Sequence, residues 1–280
     1  MGMWNGLKVV YFQKEEEMNY FCDVLYRYHK KVSLQFRKHE HWGRELYIHD
    51  RDVTVSQVIR ALVDVFMAFR FRTFIERIIR DTYYYEDRVE IDRIVTLTDG
   101  VLRDPYFQAM LWKKFSSLTE YIYFLLKTHI QTSSPIHYDS LITFCLHPLR
   151  SCLTEAVGFG IDEMKREEEY QNFVESIREY VRRQRAKTAC VHVLQHDPFQ
   201  FFSSSGHRYE PFELKRLMED IPLYSFGLTT DEMNLAPAIA LLPEQIYIYG
   251  DHPTEAKTVT LRNIFQERCS FISRNAFPFL

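Results

Sequence analysis

Glycine is scarce in this sequence, nine in 280 residues. Few glycines leave few loops whose bare backbone could cradle a phosphate. No Walker A, G-x-G-x-x-G, G-x-S-x-G or H-E-x-x-H pattern occurs. "GFGIDE" (158–163) fails the dinucleotide fingerprint because Glu163 stands where glycine is needed. Cysteine is sparse too: five, an odd number, with no C-x-x-C pair. That excludes a zinc knuckle and a dense disulfide framework. Cys22, Cys145, Cys152, Cys190 and Cys269 each sit among apolar neighbours, the setting of free thiols in a reducing cytoplasm. Long apolar runs are missing. The longest, "YIYFLL" (121–126), falls far short of the ~20 residues of a membrane span. "MGMWNGLKVVYF" has no signal-peptide core, and Gly6 breaks the myristoylation pattern. A cytoplasmic protein with no membrane contact is expected. Charge of either sign is not in excess: the formal net charge is −3, and no part of the chain is strongly basic. Nucleic acid is therefore not the expected partner.

What is present is apolar mass, 46% of the residues, with 22 Phe, 18 Tyr and 3 Trp, enough for thick helical cores. "LKVVYFQ" (7–13) reads as a strand. A helix follows, with Met18, Phe21, Cys22 and Leu25 at helical spacing and acids in its first turn. "VSLQFRK" and "RELYIHD" alternate as a hairpin, so residues 1–52 form a small β-α-β-β unit. From Thr54, which with Gln57 makes a capping box, the period turns helical. Val55, Val58, Ile59, Leu62, Val63 and Phe66 make one apolar face of a helix reaching to about Arg80. Further helices are expected over 86–102, 105–130, 138–147 and 148–184, with Gly158 and Gly160 bending or breaking the last. This helical domain spans 53–185. In residues 186–280, "TACVHVLQ", "FQFFSSS", "QIYIYG" and "CSFIS" read as strands, and "PFELKRLMED" as a short helix. Thr229 to Glu232 signals a second capping box, opening a helix that Pro237 kinks or restarts. Strand–helix–strand at the end is most simply a parallel β-α-β crossover. The expected class is α+β (mixed α/β): a small N-terminal α/β unit, a large central helical domain and a C-terminal α/β unit.

Four residue groups carry chemistry worth weighing. His192 and His196 are four apart. On a helix they could share a metal, but "CVHVLQ" alternates as a strand, which separates them by ~13 Å, too far for one ion. His39 and His41 share a strand face, with His49 and Asp50 returning across the hairpin; imidazole and carboxylate suit zinc or manganese. An exposed hairpin without a ligand explains the same residues. Arg70 and Arg77 share a helical face with Arg80 near it, interleaved with phenylalanines, which suits phosphate gripping and base stacking. The plain alternative is a solvated helix edge, favoured by Glu76 and Asp81 nearby. "YGDHP" puts Asp251 and His252 after a parallel strand, where open α/β sheets bind ligands; otherwise it is an ordinary βα turn. No cofactor is implied.

The second half carries a resemblance. "IDEMKREEEYQNFVESIREYVRRQ", "ACVHVLQ", "FQFFSSSGHRY", "AIALLPEQIYIY" and "TLRNIFQERCSF" occur in this order and spacing. Together they resemble the YtxC-like sporulation proteins of endospore-forming bacteria, over about residues 54–275. The sequence departs from that pattern at "LITFCLHPL", with Cys145 where arginine is expected, and at Pro237. The resemblance implies a sporulation-linked protein and carries over no catalytic residue. The reading is a non-enzymatic protein acting through protein partners. The alternatives are a metal- or nucleotide-dependent enzyme at Asp251 and His252, and nucleic-acid binding through Arg70, Arg77 and Arg80.

Overall fold

A computed structural model describes residues 8–39, 43–49, 53–112, 115–130 and 134–279. The chain divides once, into Met1–Lys165 and Arg166–Leu280. The expected boundaries at 52/53 and 185/186 are not where it divides, for reasons of pairing and packing.

In the first unit, β1 (Lys8–Phe12) leads through α1 (Glu15–Tyr28) to the hairpin of β2 (Leu34–His39) and β3 (Gly43–Ile48). β3 lies antiparallel between β2 and β1. This is the expected β-α-β-β unit, but it is not self-contained. Its fourth strand, β4 (Ile136–His137), comes from far along the chain and pairs parallel with β1. The helices between, α2 (Val55–Val65), α3 (Phe71–Tyr83), α4 (Arg88–Arg103), α5 (Pro105–Trp112) and α6 (Leu118–His129), close over the same sheet, as does α7 (Tyr138–Cys145), which follows β4. One buried cluster runs from Val10 and Phe12 through Leu62, Phe66 and Ile94 to Met164. Sheet and helices bury each other's apolar faces, so neither is a domain alone.

The Thr54 capping box forms as read. Its hydroxyl accepts from Gln57 N at 3.3 Å, and Gln57 Oε1 accepts from Thr54 N at 2.8 Å. Between α2 and α3 the chain takes a π turn, Phe66–Arg70. The extra residue rotates everything after it relative to the α2 stripe, and such turns concentrate at functional positions. The single helix expected over 105–130 is two. Ser117 caps α6, accepting from Glu120 N at 3.2 Å, which favours a fresh start there.

Helix α8 (His147–Arg183) is continuous through Gly158 and Gly160, contrary to the expected bend or break. Both glycines serve packing. A Cβ at 158 would lie 2.8 Å from the Tyr83 hydroxyl, which donates to Thr154 O at 2.8 Å. A Cβ at 160 would lie 2.7 Å from Thr98 Oγ1 and 3.1 Å from Thr98 N. Leu149, Leu153, Val157 and Ile161 of α8 belong to the first core, and Val174, Ile177 and Val181 to the second.

In the second unit, β5 (Thr188–Leu194) and β6 (Gln200–Ser203) pair antiparallel. α9 (Pro211–Met218) and α10 (Ala236–Leu241) follow, then β7 (Pro243–Gly250), α11 (Ala256–Phe265) and β8 (Cys269–Ser273). The sheet order is β6-β5-β7-β8, with β5, β7 and β8 parallel, so the expected β-α-β crossover is present. Val191, Val193, Ile246 and Ile248 face the main core. Leu194, Phe202 and Tyr249 face Phe277 on the other side. The second capping box does not form. Glu232 instead accepts from Leu235 N at 2.6 Å and Ala236 N at 2.8 Å, capping α10, which Pro237 starts rather than kinks.

Candidate functional site

The parallel strands β5 and β7 end side by side, and the residues that follow them form a polar cluster. Its centre is Gln195, buried just past β5. Its Oε1 accepts from Asp251 N at 3.1 Å and His252 N at 3.0 Å. Its Nε2 donates towards His252 O at 2.7 Å, Glu255 Oε2 at 2.8 Å and Thr258 Oγ1 at 2.7 Å. Gly250 makes room, since a Cβ there would fall 1.9 Å from Gln195 Oε1. A shallow pocket of about 470 Å³ lies over this cluster, lined by His196, Asp251, His252 and Arg274. Asp251 and His252 thus sit where the sequence placed them, but both are exposed. The groups pointing inward are Gln195, Glu255 and Thr258, and they satisfy one another. The arrangement ties the end of β5 to the β7–α11 turn. Sequence reasoning missed Gln195, because its partners lie 56 to 63 residues away.

His192 sits on β5 and His196 beyond it, confirming the strand geometry. Nδ1 of His192 is 3.0 Å from Tyr249 Oη, and Nε2 is 3.8 Å from Cys190 Sγ. Tyr249 stacks on the ring and Phe279 meets its edge at 5.0 Å. Burial holds its pKa below the usual histidine value. Because the folded pKa lies below the unfolded value of ~6.5, the unfolded chain binds more protons in that window. Stability should therefore fall as pH drops below ~6.5, and level off once pH passes below the folded pKa. Urea titrations between pH 8 and 5 should show a shallower acid loss in His192→Gln. Equal slopes would remove His192 from the acid limb. Asp197, beside His196, pairs with Lys257 at 2.7 Å, and that bond lowers the Asp197 pKa.

His39 and His49 stand at opposite ends of the hairpin. His39 pairs with Gly43 at one end of β3, and His49 follows the other end. Some six residues at ~3.3 Å each separate them by about 20 Å. His49 is exposed and stacks on Tyr47, while His41 and Asp50 lie outside the described residues. Among the described residues no group of three or more His, Cys, Asp and Glu is placed to hold a metal ion.

The arginine stripe divides. Arg70 is clamped by both oxygens of Glu17, with Nη2 to Oε2 at 2.7 Å, and by Asp139 Oδ1 at 2.9 Å. Glu17 is fully buried, so Arg70 serves a structural pair. Arg80 is exposed and reaches Glu86 O at 3.5 Å. Arg70 and Arg77 do share a cavity of about 280 Å³, joined there by His147 and Arg150, which the sequence reading did not single out. The three arginines thus stand in different surroundings: Arg70 in an ion pair, Arg77 at the cavity and Arg80 in solvent.

The profile of the YtxC-like family matches residues 56–270. The chain belongs to that family. It is 29% identical over 211 residues to a protein described as uncharacterized protein YtxC from Bacillus subtilis (strain 168), covering 71% of this chain and 70% of the relative. No solved structure matches. The family match runs from α2 to the start of β8, including the Gln195 cluster and the arginine cavity. It leaves β1 to β3, which build most of the first sheet, outside. Among the described residues no helix is long and apolar enough to cross a membrane.

Proposed function

We propose that this chain is a cytoplasmic, sporulation-associated protein that works by contacting other proteins rather than by catalysis. The family resemblance supplies the sporulation link. The observation that supports contact is a groove of about 390 Å³ on the first unit, walled by Tyr28, Phe115, Tyr123 and Phe124. Tyr28 and Phe124 remain 41% and 47% exposed, a cost in apolar surface that a partner would relieve. The Arg60 guanidinium lies over the Tyr123 ring at 5.3 Å, and Lys127 Nζ lies 5.8 Å from its centre. Aromatics framed by arginine are the composition of protein interface centres. Asp64 stands at the rim, its pKa raised by burial.

A photo-cross-linking residue at position 124, in cells entering sporulation, is expected to trap a discrete protein adduct. The same residue at Tyr224, 84% exposed on the second unit, is expected to trap none. Adducts absent from position 124, or identical from both positions, would sink this reading.

A further inference from the structure

The cavity shared by Arg70 and Arg77 carries a charge that its own residues do not balance. It is bounded by α3, α7 and the start of α8. Two of its charged groups are already committed. Arg70 is held by Glu17 and Asp139. Asp139, the one carboxylate lining the cavity, accepts from Arg70 and from Gln13 N at 3.3 Å. Arg77 and Arg150 have no carboxylate partner among the described residues. They face the cavity with His147 and the Thr73 and Thr143 side chains. The Thr143 hydroxyl donates to Asp139 O at 2.9 Å, so its oxygen remains free to accept but not to donate.

Two uncompensated guanidiniums on one hollow attract an oxyanion, and their planar forks match phosphoryl oxygens better than a point charge does. The remaining wall is apolar, from Phe74, Ile142 and Leu146. An anionic head beside a compact apolar surface describes a small organic phosphate. The volume, about 280 Å³, lies at the lower end of small-molecule sites, too confined for a polymer to thread. We propose that this cavity binds a small organic phosphate, its phosphoryl group held by Arg77 and Arg150. The site is independent of the aromatic groove and of any protein contact made there.

The test is a thermal-shift and calorimetric titration of the full chain with AMP, glycerol 3-phosphate and inorganic phosphate, at fixed ionic strength. Adenosine and a short RNA serve as comparison arms. At least one of the two organic phosphates is expected to raise the Tm by several degrees at millimolar concentration, inorganic phosphate by less and adenosine not at all. Arg77→Gln and Arg150→Gln should each weaken binding about tenfold or more, the worth of a charge-assisted hydrogen bond. Arg80→Gln, outside the cavity, should bind as the parent does. Circular dichroism and the Tm without ligand establish that the variants fold. No shift with any of the three phosphates overturns the proposal. So does an equal shift in the Arg77→Gln/Arg150→Gln double variant. RNA binding that exceeds the small phosphates and depends on Arg80 would overturn it in favour of a nucleic-acid surface.

Discussion

Replacing Arg70 by methionine should lower the unfolding free energy by about 3–5 kcal/mol, measured by urea denaturation. The magnitude follows from Glu17. Its carboxylate is fully buried on the inner face of α1, and Arg70 contributes both hydrogen bonds that meet it edge to edge. Without the guanidinium, a buried charge is left unpaired, and Asp139 loses its ion partner as well. The double variant Glu17→Leu/Arg70→Met should recover most of the loss, because an apolar pair avoids the desolvation cost of both charges. The strong non-additivity expected for contacting residues is what the cycle reads. If Arg70→Met alone costs under about 1 kcal/mol, the pair behaves as a surface salt bridge and the buried-clamp account fails.

Gly250→Ala should cost about 3 kcal/mol, from overpacking together with polar groups left unsatisfied. The added Cβ would fall 1.9 Å from Gln195 Oε1 and 2.7 Å from Gln195 Cβ, so the side chain must leave. Its departure strips the Asp251 and His252 amides of their acceptor and leaves the buried Thr258 hydroxyl with Glu255 alone. Gly100→Ala is the matched control. It lies in α4 with nothing within 4 Å of its would-be Cβ, and should stabilise by about 0.4–1 kcal/mol. A Gly250→Ala protein as stable as its parent would mean that Gln195 does not hold the strand end.

Local structure was largely legible in the sequence, because it follows from neighbouring residues. Thr54 and Gln57 announced their capping box, and the alternation around His192 announced β5 and ruled out the histidine pair. The β7–α11–β8 crossover followed from three short segments in order. What needed the structure was pairing over long separations. Residues 136 and 137 are too few to read as a strand, yet they complete the first sheet and dissolve the boundary at 52. Gly158 and Gly160 look like breaks in a lone helix, but their reason lies in Tyr83 and Thr98. Thr229 and Glu232 have capping-box spacing, but Glu232 serves backbone amides further on. At the candidate sites, Arg70 and Arg77 were visible as a stripe. Their separate fates were not, since one is decided by Glu17, 53 residues away, and the other by Arg150 on α8. One signal was available: Glu17 is spaced i, i+4 and i, i+7 from Phe21 and Val24, placing an acid on the apolar face of α1. Such an acid requires a cation that reaches into the core, and half-buried Arg70 is that cation.

The central functional claim is that contact at the aromatic groove matters and chemistry at the end of the C-terminal sheet does not. Counting heat-resistant spores tests it most directly. The gene in an endospore-forming host would be replaced by a Phe115→Ser/Phe124→Ser variant or by an Asp251→Asn/His252→Gln variant, at matched protein levels. The account predicts parental counts from the second and the counts of a deletion strain from the first. Parental counts from the deletion strain would contradict the sporulation role, and a defect confined to the Asp251→Asn/His252→Gln variant would contradict the non-catalytic one.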